Sequence, residues 1–322
     1  MHDPNRFSVA PMMDLTDRHA RFLLRLITRR ALLYTEMITV DALLHGDRER
    51  LLAYNPAEHP LALQLGGSDP EKLAACCEIA EQMGFDEVNL NVGCPSDRVQ
   101  SGHIGACLML VPGTVACCFA AMQQACSIPI TVKCRLGVDE QNTYETLPVF
   151  INTVHEAGCA AFSIHARKAW LKGLSPKQNR DIPPLDYELV YDIKRQFQDI
   201  QIIVNGGIDS LEATCAHLQH VDGVMMGRKA YYEPYTLKDI DSIVFGELVA
   251  APSREEIFAK YLQYVEGELD EGVALKHMSK HLLGLFHGVQ GARAFRRHIS
   301  ENAYTLDAGI EVLVDAADKL LI

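Results

Sequence analysis

No apolar run in this 322-residue chain approaches the roughly 18 residues that a membrane-spanning helix needs. The opening Met1-His2-Asp3-Pro4 lacks the basic and then apolar stretches of a secretory signal. Together these absences predict a soluble protein of the cytoplasm. Positive charge is scarce as well: 30 lysines and arginines stand against 42 aspartates and glutamates, a net charge of -12. A coat of positive charge is thereby excluded, so a nucleic-acid partner would have to meet a local basic face. The C-x-x-C motif is missing too. Neither the pairs Cys76/Cys77 and Cys117/Cys118 nor the single cysteines form one, and no nearby histidine completes a zinc-like set. Ten cysteines dispersed through a long chain read as reduced thiols rather than a disulfide framework, and no structural metal is expected.

What is present is enough apolar content, 48%, for one large core. The length suits a barrel of roughly 250 residues with an appendage. Short apolar or alternating runs recur at Arg6 to Pro11, Leu32 to Ile38, Leu61 to Leu65, Glu87 to Val92, Ile130 to Leu136, Ala160 to His165, Ile202 to Asn205 and Val224 to Met226, and each reads as a strand. Helical patterns lie between most of them, with an arginine-rich amphipathic helix from Asp17 to about Thr28 and start signals at Ser68-Asp69-Pro70-Glu71 and Asp209-Ser210-Leu211-Glu212. Eight strand-helix units predict a parallel sheet closed into a (β/α)8 TIM barrel over residues 1–245. An open doubly wound sheet is the alternative. After Phe245 the strand signal stops. Arg254 to Glu268, Gly272 to Phe286, Gln290 to Ser300 and Leu306 to Leu321 read as helices of a C-terminal all-α domain spanning 246–322.

In TIM barrels active sites form at the C-terminal ends of the strands, and polar residues gather there in this chain. Strand one ends Pro11-Met12-Met13, strand two carries Glu36, strand three Gln64, and strand four ends Asn89-Leu90-Asn91-Val92-Gly93-Cys94-Pro95-Ser96. Strand five holds Lys133 and Arg135, strand six ends at His165, strand seven runs into Asn205-Gly206-Gly207 and strand eight into Gly227-Arg228. The last two have the form of a phosphate site: glycines let backbone N–H groups approach the phosphate oxygens, and a helix start adds positive potential. An ordinary tight turn is the competing explanation for Asn205-Gly206-Gly207. Lys133 interrupts an apolar strand, where desolvating an ammonium is costly. Either an anionic ligand faces it or it pairs with Glu36 or another carboxylate. His165 is open to the same two readings, ligand contact or a satisfied core histidine. Cys94, between Gly93 and Pro95 beyond a strand end, should expose its thiol to the cleft, whereas most cysteines are inert small hydrophobes. An ordinary thiol is largely protonated at neutral pH and can act as a general acid without activation.

Several of these motifs together resemble the tRNA-dihydrouridine synthases over nearly the whole chain, and within them the branch acting on positions 20 and 20a of the D-loop. The resemblance is carried by Ala10-Pro11-Met12-Met13-Asp14-Leu15-Thr16-Asp17-Arg18-His19, by Asn89 to Ser96 with Gly105-Ala106-Cys107-Leu108-Met109, by Lys133-Cys134-Arg135-Leu136-Gly137, by His165-Ala166-Arg167, by Asn205-Gly206-Gly207-Ile208 and by Asp222 to Arg228. It implies FMN held by Pro11, Met12, Met13, Gln64, Lys133, His165, Asn205, Gly206, Gly207, Gly227 and Arg228. It further implies NADPH as reductant, hydride passing from FMN N5 to uracil C6, and a proton from Cys94 to C5, with Asn91 holding the target base. In such a site a lysine near the pyrimidine edge of the ring stabilises the charge of the reduced flavin. The uridine must leave its stack to arrive there. Lys177 and Arg180 with Arg293 and Arg296 match the branch's tRNA-orienting signature. No acidic residue falls between Gly272 and Ile299, which carries Lys276, Lys280, Arg293, Arg296, Arg297 and four histidines, so tRNA phosphates would meet a local basic face there. The loop Gly102-His103-Ile104-Gly105 departs from the family's usual glycine-rich or aromatic sequence. No DNA, membrane or obligate protein partner is expected. Two other functions fit parts of the pattern: an FMN-dependent dehydrogenase of a free pyrimidine or dihydroorotate, and a non-catalytic RNA-binding protein on a barrel scaffold.

Overall fold

In a computed structural model, which describes residues 3–96, 102–305 and 307–320, nine strands form one sheet. They are β1 (Phe7–Val9), β2 (Leu33–Tyr34), β3 (Ile38–Thr39), β4 (Leu61–Gly66), β5 (Glu87–Val92), β6 (Ile130–Arg135), β7 (Ala161–His165), β8 (Gln201–Asn205) and β9 (Gly223–Met226). Every pairing is parallel, in the order β1-β9-β8-β7-β6-β5-β4-β2, with β3 also on β4. The ring closes between β1 and the residue before β2, where Val9 N donates to Leu32 O at 2.9 Å and Leu32 N to Phe7 O at 3.0 Å. The chain is therefore the expected TIM barrel. The second expected strand, Leu32 to Ile38, is split into β2 and β3, because the Thr35 hydroxyl takes the Gln64 N–H at 3.0 Å and donates to Glu36 O, a side-chain competition with the strand ladder.

The helices start where the sequence supplies caps. Asp17 accepts from His19 N and Ala20 N at the head of α1 (Arg18–Ile27), and Asp69 with Pro70 opens α2 (Pro70–Gln82). Further round lie α3 (Pro112–Ala125), α4 (Thr143–Glu156), α5 (Tyr187–Gln196), α6 (Leu211–His217), capped by Ser210, and the short α7 (Arg228–Tyr232). Strand alternation then builds two shells. Val88, Leu90, Val132, Cys134, Phe162 and Ile164 point outward into the large core under the helices. Leu32, Tyr34, Ala62, Ala161, Ile203 and Met225 form a second cluster inside the barrel. On the side of β4, β5 and β6 the interior is polar instead, with Gln64, Asn89, Asn91 and Thr131 all buried.

Beyond Phe245 come α8 (Arg254–Asp270), α9 (Leu275–Ser279), α10 (Ala292–Asn302) and α11 (Glu311–Ala317). The helix expected over Gly272 to Phe286 is broken into α9 and a 3-10 turn at Lys280–Gly284. At the end of that turn a Cβ on Gly284 would lie 2.3 Å from Tyr232 O, so only glycine lets this segment touch α7. Of the helix expected over Leu306 to Leu321, whose two end residues lie outside the described residues, the described part is helical only over Glu311–Ala317. These helices seat on α1, where Phe22 stacks on Tyr264 at 4.0 Å, Arg18 forks onto Glu268, and the Tyr261 hydroxyl reaches Met278 O at 3.1 Å and His19 O at 3.3 Å. Among the described residues no helix is long and apolar enough to cross a membrane, and all ten cysteines are free thiols.

Candidate active site

Parallel register brings the strand ends to one rim. Asn91 lies beside Lys133, Arg135 beside His165, and His165 beside Asn205. The Lys133 ammonium donates to Asn205 Oδ1 at 3.1 Å, and Asn205 Nδ2 is fixed by Met225 O at 2.7 Å. No carboxylate, Glu36 included, pairs with Lys133 among the described residues. Glu36 instead accepts from Asp14 N at the opposite lip. Burial, with Arg135 adding, pushes the Lys133 ammonium down to about 8. Burial and the cations Arg135, Lys133, Arg167 and Arg180 hold His165 well below the usual histidine range, so its ring is neutral.

Gly206 has φ +109°, and a Cβ on it would stand 2.5 Å from His165 Cδ2; Gly207 has φ +70°, with Leu185 Cδ1 2.6 Å from its would-be Cβ. Both positions thus need glycine for conformation and for space. The Tyr187 hydroxyl holds the turn through Gly206 O at 2.6 Å. Close by, Arg167 spends its Nη1 on Asp181 O and Pro183 O while its buried Nε has no partner among the described residues. Arg228 is half exposed and paired with Asp181 at 2.7 Å. A half-buried cation without a carboxylate among the described residues, an orphaned guanidinium N–H and two glycines that expose backbone fit an anionic ligand such as the phosphate-bearing FMN.

The Cys94 loop is pinned from two sides. Asn91 Oδ1 accepts from Gly93 N at 3.1 Å and Cys94 N at 3.0 Å, while its Nδ2 donates to Gln64 Oε1 at 2.8 Å. Arg135, almost wholly buried, donates to Gly93 O at 3.2 Å, Lys168 O at 3.2 Å and Asn179 O at 2.9 Å. It thereby ties the cysteine loop to the segments after β7. Burial pushes its guanidinium down to about 10. The thiol itself is half-buried, with Ser96 Oγ at 3.7 Å. Asn91 thus has its carbonyl committed to the loop. Arg135 stood in the sequence only as a rim residue without a role; a cation inside an apolar strand was the available signal. Asn89 and Thr131 were signalled by polar residues at every second position of β5 and β6.

Pro11, Met12 and Met13 form a turn on the same rim, held by Thr16 Oγ1, which accepts from Met12 N at 3.0 Å; Met13 is exposed. Gly227 caps α7, and the departing loop Gly102 to Gly105 leads into a 3-10 turn in which Ala106 N returns to Cys94 O at 2.9 Å. Lys177 and Arg180 are exposed on the loop after β7; Arg293 is exposed and Arg296 half-buried on α10. None of these four forms an ion pair among the described residues. Two members of the basic stretch are spent internally: Lys280 reaches Asp17 at 3.0 Å, and buried His281 donates to Asp17 at 2.9 Å. A cavity of about 430 Å3 opens at the other end of the barrel, near Asn5, Glu87, Gln123 and Gln201.

The family model for dihydrouridine synthases matches residues 8–321. The chain is 57% identical over 307 residues to a tRNA-dihydrouridine(20/20a) synthase of Shewanella oneidensis, covering 95% of this chain and 91% of that one. It is 55% identical over 324 residues to the protein of the same name in Escherichia coli, covering 99% and 94%. Among solved structures, morphinone reductase shares the fold at a TM-score of 0.50 and 12% identity, over 79% of this chain and 89% of that one.

Proposed function

The chain belongs to the dihydrouridine synthase family, and on that premise we propose that it reduces uridine to 5,6-dihydrouridine at positions 20 and 20a in the D-loop of tRNA, in the cytoplasm, with FMN bound and NADPH as reductant. When bound, FMN would supply the hydride that C6 of the uracil takes up, with NADPH as its reductant. The chain's own residues do the rest. Lys133, with its charge unspent on any carboxylate among the described residues, would stabilise the negative charge of the reduced flavin. His165, kept neutral, and the Asn205-Gly206-Gly207 turn would help hold the cofactor. Gly227-Arg228 would hold its phosphate, and Pro11 to Met13 and Gln64 would complete the cradle.

Cys94 would give its S–H proton to C5, so that with the hydride taken up at C6 one H– and one H+ add across the double bond, and the thiolate would regain a proton from water. Asn91 contributes by fixing the Cys94 backbone and by the remaining N–H of its amide toward the base. Residues 1–245 are the catalytic part, and 246–322, with Arg293 and Arg296 joined by Lys177 and Arg180, contact tRNA phosphates.

The observation that carries this reading is the shared rim of Lys133, His165, the Asn205 turn and the Cys94 loop. The decisive experiment combines tRNA transcript, NADPH and the purified protein, wild type and Cys94→Ala. The variant should keep its flavin and accept hydride from NADPH, yet form dihydrouridine at least about a hundredfold more slowly. Wild-type turnover in Cys94→Ala sinks the proton-donor role. Dihydrouridine retained at positions 20 and 20a in cells lacking the protein sinks the site assignment, and turnover of free uracil in place of tRNA sinks the substrate.

A further inference from the structure

Strand β5 places Glu87, Asn89 and Asn91 on the inner face of the barrel, and a continuous hydrogen-bond ladder climbs from them to the cysteine loop. At its foot Glu87 Oε1 accepts from Tyr34 O–H at 2.8 Å and from Thr131 O–H at 2.6 Å. Asn89 Nδ2 donates to Thr131 Oγ1, Gln64 Nε2 to Asn89 Oδ1, and Asn91 Nδ2 to Gln64 Oε1, each at 2.8 Å. Asn91 Oδ1 then receives the N–H groups of Gly93 and Cys94.

The ladder has one permitted direction. Backbone N–H groups can only donate, so Asn91 must show them its oxygen and turn its amide hydrogens down; the same constraint passes through Gln64 and Asn89 to Thr131. At the floor a carboxylate accepts the hydroxyl hydrogens and fixes the same sense from below. Every link except the topmost is buried, where a mispaired donor or acceptor is costly.

We infer that Glu87, Asn89 and Thr131 are positioning residues that hold Cys94 in register with the substrate through this ladder. None of the three reaches the rim, so they act through Gln64 and Asn91. The inference rests on Cys94 being the proton donor, and it separates two carboxylate functions: Glu87 needs to accept at Oε1, and its charge is dispensable. Burial raises Glu87 to about 7.

The test uses the flavin-loaded protein and two readouts. One is the rate at which iodoacetamide alkylates Cys94, read on its peptide across neutral to alkaline pH. The other is oxidation of the pre-reduced flavin by tRNA and, separately, by dioxygen. Thr131→Val keeps the shape but removes a donor and an acceptor at once; it should change the Cys94 alkylation rate about fivefold or more and slow oxidation by tRNA equally, with oxidation by dioxygen as in wild type. Glu87→Gln retains the acceptor and should stay within about twofold on both readouts. If Thr131→Val loses its flavin, Asn89→Asp, which sets an acceptor against Thr131 Oγ1, carries the same expectation. A Cys94 that reacts at the wild-type rate in Thr131→Val, or in Asn89→Asp where that variant replaces it, overturns the inference, as does a Glu87→Gln that changes the rate as much as Thr131→Val. Normal turnover in Cys94→Ala would sink the proton-donor reading instead and leave the alkylation result standing.

Discussion

Asp17 joins the barrel to the helices that follow it, and removing its carboxylate tests how much that junction is worth. Its oxygens cap α1 through His19 N at 3.1 Å and Ala20 N at 3.0 Å. They also meet His281 Nε2 at 2.9 Å and Lys280 Nζ at 3.0 Å. Burial alone would push this carboxyl up; the bonds from His281, Ala20 N–H and Lys280 outweigh it and hold the group well below the usual carboxylate range. Burial lowers His281 as well, so at neutral pH it is a neutral donor and Lys280 brings the charge. The cap is worth about 1 kcal/mol, the buried histidine bond about 1 kcal/mol and the half-exposed lysine pair about 0.5 kcal/mol. Asp17→Ala should therefore cost about 2–3 kcal/mol. With an unfolding entropy near 0.7 kcal/mol/K for a chain of this length, Tm falls by about 3–4 °C. Asp17→Asn keeps the cap oxygen and should lose about half as much. Scanning calorimetry at neutral pH reads both. As pH drops toward the depressed carboxyl range the wild-type advantage over Asp17→Ala should shrink, since protonation removes what the substitution removes. A Tm within 1 °C of wild type for Asp17→Ala, or equal losses for Ala and Asn, refutes the reasoning.

Gly206→Ala places a methyl 2.5 Å from His165 and asks alanine to hold φ +109°. Loss of about 2 kcal/mol or more and of bound flavin is expected by thermal melt and absorbance. Lys133, lowered to about 8, loses its charge as pH rises through that value. FMN affinity should then weaken toward tenfold per pH unit, whereas Lys133→Gln gives a flat profile in fluorescence titration. The sign for folding is opposite, because the folded state sheds this proton first, so its contribution to stability rises with pH between about 8 and 10.5. Arg293→Ala and Arg296→Ala should each weaken tRNA binding and lower the slope of log affinity against log salt by about one, while the rate of flavin reduction by NADPH is unchanged.

The barrel was legible because its signals are local. Period-two runs such as Glu87 to Val92 and caps such as Asp69 with Pro70 depend only on neighbouring residues, and the amino-acid order alone determined eight strand segments, the helix starts at Arg18, Pro70, Leu211 and Arg254, and the rim position of Cys94, Lys133 and His165. It also marked Gly206 and Gly207, since a turn that needs positive φ leaves glycine as its trace. Other features belonged to the tertiary structure, for a physical reason: a hydrogen-bond partner distant in sequence leaves no periodic signature. Only the closed barrel decided that Lys133 meets Asn205 rather than Glu36, and that Arg135 clamps Gly93. Packing likewise brought Gly284 against Tyr232 O and turned Lys280 and His281 inward to Asp17. The direction of the polar ladder beneath Cys94 is fixed by backbone N–H groups at one end and a buried carboxylate at the other, and it exists only once β4, β5 and β6 lie side by side.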